Sequence, residues 1–181
     1  MPEYRIGVLD IESDGLKADF STMLSWAIKE HDGSTVVDVI SKKDLFSGNY
    51  DKKIIQSLVN EIRKYKILVT YYGTGFDIPY IRSKALHYGI EFPSYAEIYN
   101  FDLYFTVKSK LKLSRSSLDS ACDYLGIKGK TPIDKEYWRA AKYGDADALK
   151  EVLEHNIADV DITDKLYNKL LPFRKWIKTS I

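Results

Sequence analysis

The stretch YRIGVLDIE at residues 4–12 decides the reading of this chain. Its side chains alternate with the period of a strand, so residues two apart face the same side. Asp10 and Glu12 therefore share a face with Ile6 and Val8. The apolar half of that face predicts burial. Two carboxylates there repel each other and lose hydration unless a cation compensates them. The competing reading is a strand end that emerges into solvent with both acids wet.

Residues 22–30 (TMLSWAIKE) and 34–40 (STVVDVI) carry further strand signals, and Asp32-Gly33 between them is a favoured hairpin turn. Residues 50–65 place Ile54, Ile55, Leu58, Val59 and Ile62 on one side of a helix. The short apolar run ILVTYY at residues 67–72 predicts a buried central strand, broken by Gly73-Thr74-Gly75. A helix over residues 76–88 follows and ends at Gly89. The second half predicts helices over 101–110, 116–125, 132–143 and 145–171, the last stopped by Pro172. Strands, a helix, a strand and then helices indicate an α/β sandwich around a mixed β-sheet.

A length of 181 residues suits one domain, 1–181, with residues 171–181 as a tail. Hydrophobic residues at 45% and charged residues at 29% exclude wholesale disorder. A lone Cys122 excludes an internal disulfide framework and a cysteine-based zinc site. No apolar run approaches the ~18 residues of a membrane span, and the opening Met1-Pro2-Glu3 does not resemble a signal peptide. The expectation is a soluble, cytoplasmic protein with no membrane contact. Its net charge of +1, from 27 basic and 26 acidic side chains, excludes a coat that holds nucleic acid by bulk attraction.

Two further places carry chemistry. Asp77 follows the turn Gly73-Thr74-Gly75-Phe76 at a helix start. There it either favours its own helix dipole or belongs to a site; a phosphate cradle lacks the third Gly and the Lys-Ser/Thr of a P-loop. In the last helix the stripe Leu149, Val152, His155, Asp159, Ile162, Leu166 sets His155 and Asp159 side by side. A neighbouring stripe of Leu153, Ile157 and Val160 is the competing core face, and Asp161 and Asp164 are expected to be solvated. Carboxylates without thiolates suit hard cations such as Mg²⁺ or Mn²⁺. Two such ions about 3.5–4 Å apart activate water and stabilise a leaving oxygen in phosphodiester hydrolysis.

Three segments in order resemble the exonuclease motifs of the DEDD (DnaQ-like) superfamily. They are Asp10-Ile11-Glu12, Gly75-Phe76-Asp77-Ile78-Pro79-Tyr80-Ile81 and His155-Asn156-Ile157-Ala158-Asp159-Val160. The flavour resembles the proofreading domain of family B DNA polymerases and its free-standing relatives. Asp102-Leu103-Tyr104, Ser117-Leu118-Asp119 and Trp138-Arg139-Ala140-Ala141 extend the likeness across nearly the whole chain. The resemblance implies a ribonuclease-H-like fold, a mixed β-sheet flanked by α-helices. It implies metal-site acids at Asp10, Glu12, Asp77 and Asp159, with His155 orienting or deprotonating the attacking water.

The implied activity is removal of nucleotides from the 3′ end of single-stranded DNA with two Mg²⁺ or Mn²⁺ ions. An exoribonuclease, a structure-specific endonuclease and a non-catalytic nucleic-acid-binding module are the alternatives. Two positions depart from the pattern: His155 stands at the spacing usual for Tyr, and Tyr72 where Asn commonly opens the second motif. An imidazole exchanges a proton near neutrality and a phenol does not.

Substrate contacts are expected from Phe76 and Tyr80, as rings against a terminal base, although aromatic core is the commoner use of such residues. Lys108, Lys110, Lys112 and Arg115, with Lys128 and Lys130 beyond, form a basic cluster. It either tracks phosphates or is an ordinary solvated surface. Single-stranded nucleic acid, DNA before RNA, is the expected partner, with replication or repair proteins beside it. The tail at 174–181, with Trp176 and Ile177, docks back or mediates self-association.

Overall fold

The structure, a computed structural model, describes residues 4–129 and 133–173. Expectations that fall on Met1–Glu3, Lys130, Pro132 and the 174–181 tail with Trp176 and Ile177 lie outside the described residues. The strands β1 (Ile6–Ser13), β2 (Met23–Glu30) and β3 (Thr35–Val39) form an antiparallel meander. Two helices follow, a single turn α1 (Lys42–Leu45) and α2 (Lys52–Ile62), then β4 (Ile67–Thr70), α3 (Asp77–His87) and β5 (Tyr99–Asp102). The chain continues through α4 (Leu103–Lys110), α5 (Leu118–Tyr124), α6 (Lys135–Ala141) and α7 (Ala146–Leu170) into a 3₁₀ turn at Leu171–Phe173. The strand order is β3-β2-β1-β4-β5, with β4 and β5 parallel to β1. This is the mixed sheet flanked by helices that the sequence predicts.

Alternation along β1 divides the core. Leu9 and Ile11 face a layer built on α2 and α3, where Ile54, Ile55, Leu58, Val59 and Ile62 are all buried. Val8 faces the other layer with Val160, Ile162 and Leu166 of α7. Asp10 and Glu12 extend the Val8 row, so the strand period directs both acids toward α7. The sheet comes so close to Tyr65 that a Cβ on Gly7 would lie 2.9 Å from its ring and from Ile28 Cγ2. The β2–β3 hairpin turns with Asp32 in the left-handed region at φ 55°.

Three expectations change. Residues 101 and 102 belong to strand β5 rather than to a helix, which starts at Leu103 with Asp102 as its N-cap, accepting from Tyr104 N. Four residues give too short a period to read, and the polar side of this strand is satisfied internally: Thr70 Oγ1 donates to Asn100 Oδ1 at 3.0 Å. The single turn α1, capped by Ser41, passes below the length at which periodicity speaks. Asp164 is buried rather than solvated. It accepts from His31 Nδ1 at 2.7 Å and pairs with Lys29 Nζ at 3.4 Å, tying α7 to the end of β2. Asp161 pairs with Lys29 and Lys165 nearer the surface.

A buried ion pair ties the start of α2 to β2 and α3. Asp51 accepts from Met23 N at 2.9 Å and Tyr88 OH at 2.5 Å, and pairs with Lys84 Nζ at 2.9 Å. Both partners are buried. Asp51→Ala strands an ammonium in the core and is expected to cost about 3–5 kcal/mol. A urea-denaturation midpoint unchanged from wild type would refute this.

Candidate active site

Each acid of the site is placed by a local rule. The β1–β4 ladder runs from Ile6↔Ile67 to Val8↔Val69 and stops. Beyond it the Ile11 N–H donates to Asp77 Oδ1 at 3.2 Å. Asp77, at the first residue of α3, is thereby fixed against the backbone between Asp10 and Glu12. A residue that local sequence presents as a dipole charge for its own helix serves as a cross-link between β4's following turn and β1.

The long helix α7 starts at the Asp145 cap, whose carboxylate accepts from Ala148 N at 2.9 Å. It then crosses β1 and β2 with the stripe Leu149, Val152, Ile162, Leu166 buried. The register over β1 is set by Asn156, a residue that periodicity alone did not single out. Asn156 Nδ2 donates to Asp10 Oδ2 at 2.6 Å, and Ser25 Oγ on β2 donates to Asn156 Oδ1 at 3.2 Å. Its signal was a polar side chain one turn from Val152 and Val160 on a buried line. One residue before it, His155 turns Nε2 to within 3.8 Å of both Glu12 Oε1 and Asp159 Oδ2. The Trp138 indole of α6 meets that imidazole edge to face at 6.2 Å.

Ligand atoms of Glu12, His155 and Asp159 all lie within 4.8 Å of one another. The Asp10 carboxyl is pushed well above the usual carboxylate range, first by burial and then by Glu12, Asp77 and Asp159, against the opposing hydrogen bond from Asn156. Burial pushes Asp77 up to about 7, against the N–H groups of Asp77 itself and Ile11. Four carboxylates gathered so that three of them raise the buried Asp10, with oxygen ligands and no thiolate, fit hard divalent cations. The second three-residue group, His31, Asp32 and Asp164, lies at the other end of β2, and Lys29 already compensates its charge.

Other sequence candidates sit differently. Tyr80 is 3% exposed, its hydroxyl 3.0 Å from Ser21 Oγ. Its ring therefore fills the core and offers no face to a base. Phe76 is half-buried against the same core, 5.6 Å from Tyr80. Lys108 and Lys110 stand exposed at the end of α4, and Lys112 and Arg115 in the loop beyond, on the β5 side of the sheet. Among the described residues no helix is long and apolar enough to cross a membrane.

Comparison with known proteins agrees with this architecture. The DNA polymerase of Methanocaldococcus jannaschii is 28% identical over 145 residues, covering 67% of this chain and 8% of the polymerase. DNA polymerase 1 of Sulfolobus acidocaldarius is 28% identical over 207 residues, covering 92% of this chain and 23% of that protein. This chain thus spans less than a quarter of the length of either relative. The solved family B DNA polymerase from the hyperthermophilic archaeon Pyrobaculum calidifontis shares the fold at a TM-score of 0.75 and 22% identity, over 95% of this chain and 25% of its own. The RNase_H superfamily pattern matches residues 8–171, which takes in β1 from Val8 onward, the Asp77 turn and all of α7. The chain belongs to the RNase_H superfamily.

Proposed function

We propose that this chain is a metal-dependent 3′–5′ exonuclease that hydrolyses phosphodiester bonds from the 3′ end of single-stranded DNA. The observation that carries the reading is the meeting of Asp10, Glu12, Asp77 and Asp159, from three segments, around one buried point with His155 against two of them. DNA is favoured over RNA because the named relatives are DNA polymerases.

Asp10, Glu12, Asp77 and Asp159 would hold the divalent ions, two of Mg²⁺ or Mn²⁺. When bound, such ions activate water and stabilise the leaving oxygen of an in-line displacement. The chain's own residues do the rest. Asn156 and Ser25 hold the Asp10 carboxylate in one rotamer, and the Ile11 amide does the same for Asp77. His155 Nε2 faces Glu12 and Asp159, and it accepts a proton from the attacking water. Trp138 limits the swing of that ring. Lys108, Lys110, Lys112 and Arg115 attract the backbone of the strand, so binding weakens as salt rises. Replication or repair proteins are the partners this activity would serve.

The test is incubation with 5′-labelled single-stranded DNA, matched RNA and a circular single strand, in Mg²⁺, Mn²⁺ or chelator. A ladder that shortens from the 3′ end only with metal is the expected result, and Asp159→Ala controls for contamination. Cutting of the circle would replace the reading with an endonuclease, faster loss of RNA with an exoribonuclease, and retention without cutting with a binding module.

A further inference from the structure

Tyr72 occupies a backbone conformation that its residue type disfavours. Its φ is 65°, in the left-handed region where a bulky L-residue is strained. A buried carboxylate holds its N–H, and its carbonyl accepts from Gly75 N at 2.9 Å and Phe76 N at 3.1 Å. Asp102 Oδ1 accepts from Tyr72 N at 2.8 Å and Tyr104 N at 3.0 Å, while Oδ2 accepts from Thr74 N at 3.0 Å. The end of β5 thereby ties the turn after β4 to the first turn of α4. The Tyr72 ring is seated over Gly75, where any Cβ would lie 2.5 Å from its Cζ. Tyr104 meets it edge-on at 4.9 Å, Phe105 meets Tyr104 at 5.3 Å, and Lys108 Nζ stands 5.6 Å over the Tyr104 ring.

This assembly is not core. Tyr72 is 48% exposed and Phe105 49%. Because β4 and β5 run parallel to β1, their carboxyl ends open on the same edge of the sheet as Asp10 and Glu12. Gly75, the seat of the ring, is two residues from Asp77. Strained backbone that holds an exposed aromatic beside an acidic site is a feature stability does not explain.

We infer that Tyr72, with Tyr104, Phe105 and Lys108, is a stacking platform for the unpaired bases that lie upstream of the scissile end of a single strand. The inference deepens the exonuclease reading and rests on it for the identity of the strand. Exposed rings accept any base face, so the platform is tolerant of sequence, and Lys108 adds a positive charge for the phosphate between stacked bases. A duplex, whose bases already stack on each other, offers it nothing.

The test measures fluorescence anisotropy of a labelled oligothymidylate and of an abasic strand of equal length, with the whole chain in chelator so that no turnover intervenes. Wild type should bind the base-bearing strand at least about 5-fold more tightly than the abasic one. Tyr72→Asn, which suits a left-handed φ, should bring that ratio near 1 without lowering the melting temperature, and Tyr72→Phe should keep it. Tyr72→Gly is the second variant that suits the backbone, with the same expectation. A ratio near 1 in wild type, or an undiminished ratio in Tyr72→Asn and Tyr72→Gly, overturns the platform. Cutting in Mg²⁺ or Mn²⁺ is scored separately. A chain that cuts but ignores Tyr72 keeps the exonuclease and loses the platform, and one that discriminates bases through Tyr72 without cutting does the reverse.

Discussion

Replacing Asp10 by asparagine is expected to slow phosphodiester hydrolysis by about 10³-fold and, in chelator, to raise the melting temperature. The two effects have one cause. Asp10 is buried beside Glu12, Asp77 and Asp159, and both burial and those neighbours drive its carboxyl upward. Without a cation the folded protein must therefore keep Asp10 protonated near neutrality or bear a desolvated, repelled charge. Asparagine removes that choice. It keeps an amide oxygen at the position where Asp10 Oδ2 accepts from Asn156 Nδ2. A gain of about 0.5–2 kcal/mol, usual for a single stabilising substitution, is the expected scale, or up to several degrees at ~2–4 °C per kcal/mol for a chain of this size.

The loss of activity follows from the same substitution, because a neutral amide is a poor ligand for a hard dication. A factor of 10³ corresponds to about 4 kcal/mol of transition-state stabilisation. Differential scanning fluorimetry in chelator and initial rates in Mn²⁺ measure the two halves. A variant that melts lower in chelator and cuts as fast as wild type would contradict the idea that these four acids repel one another for the sake of a metal.

What could be read in advance, and what could not, divides by range along the chain. The strand period of residues 4–12 and the helical spacing of Ile54 to Ile62 report local burial, and both are as expected. The stripe through Asp159 is buried against the sheet except for the half-buried His155, and Val160 of the competing stripe is buried with it. Asn156 is different. Its place one turn from Val152 and Val160 signals burial, but its partners Asp10 and Ser25 lie 146 and 131 residues away, so its neighbours do not reveal what it binds. Asp164 likewise reads as solvated until the fold brings Lys29 and His31, more than 130 residues distant in sequence, against it. Strand β5 is a third case: four residues alternate too briefly, and residues 101 and 102 read as the start of a helix until Thr70, Tyr72 and Thr74 satisfy the polar side chains of Asn100 and Asp102. Tyr72 could be seen as a departure from the motif, but its positive φ is a property of the folded turn.

In chelator the protein is also expected to lose stability as pH is raised from about 4 to 8, the reverse of ordinary acid denaturation. The sign follows from proton counting. Asp77 is raised by burial to about 7, and Asp10 is raised further from its ordinary range by burial and its acidic neighbours. In the unfolded chain both titrate near ~3.9. Between those values the native state binds more protons than the unfolded one, so stability falls as pH rises. The contribution is complete below about pH 4 and is lost for Asp77 as pH passes through about 7.

Groups of opposite sign do not disturb that window. Asp161, despite some burial, is drawn down by Lys165 and Lys29, while Arg5 lowers Glu30 and Lys53 lowers Asp44. A lowered acid contributes fully above its unfolded value and loses its contribution only as pH falls through the folded one, which places those losses at or below about pH 4. Mg²⁺ or Mn²⁺ inverts the slope, because the ion binds deprotonated ligands and stabilises the folded state that presents them. Melting curves with metal and with chelator should therefore nearly coincide at pH 5 and diverge steadily toward pH 8, and Asp77→Asn should flatten the chelator curve. If the two curves run parallel across that range, the carboxylates titrate as ordinary surface acids and do not form a site that waits for a cation.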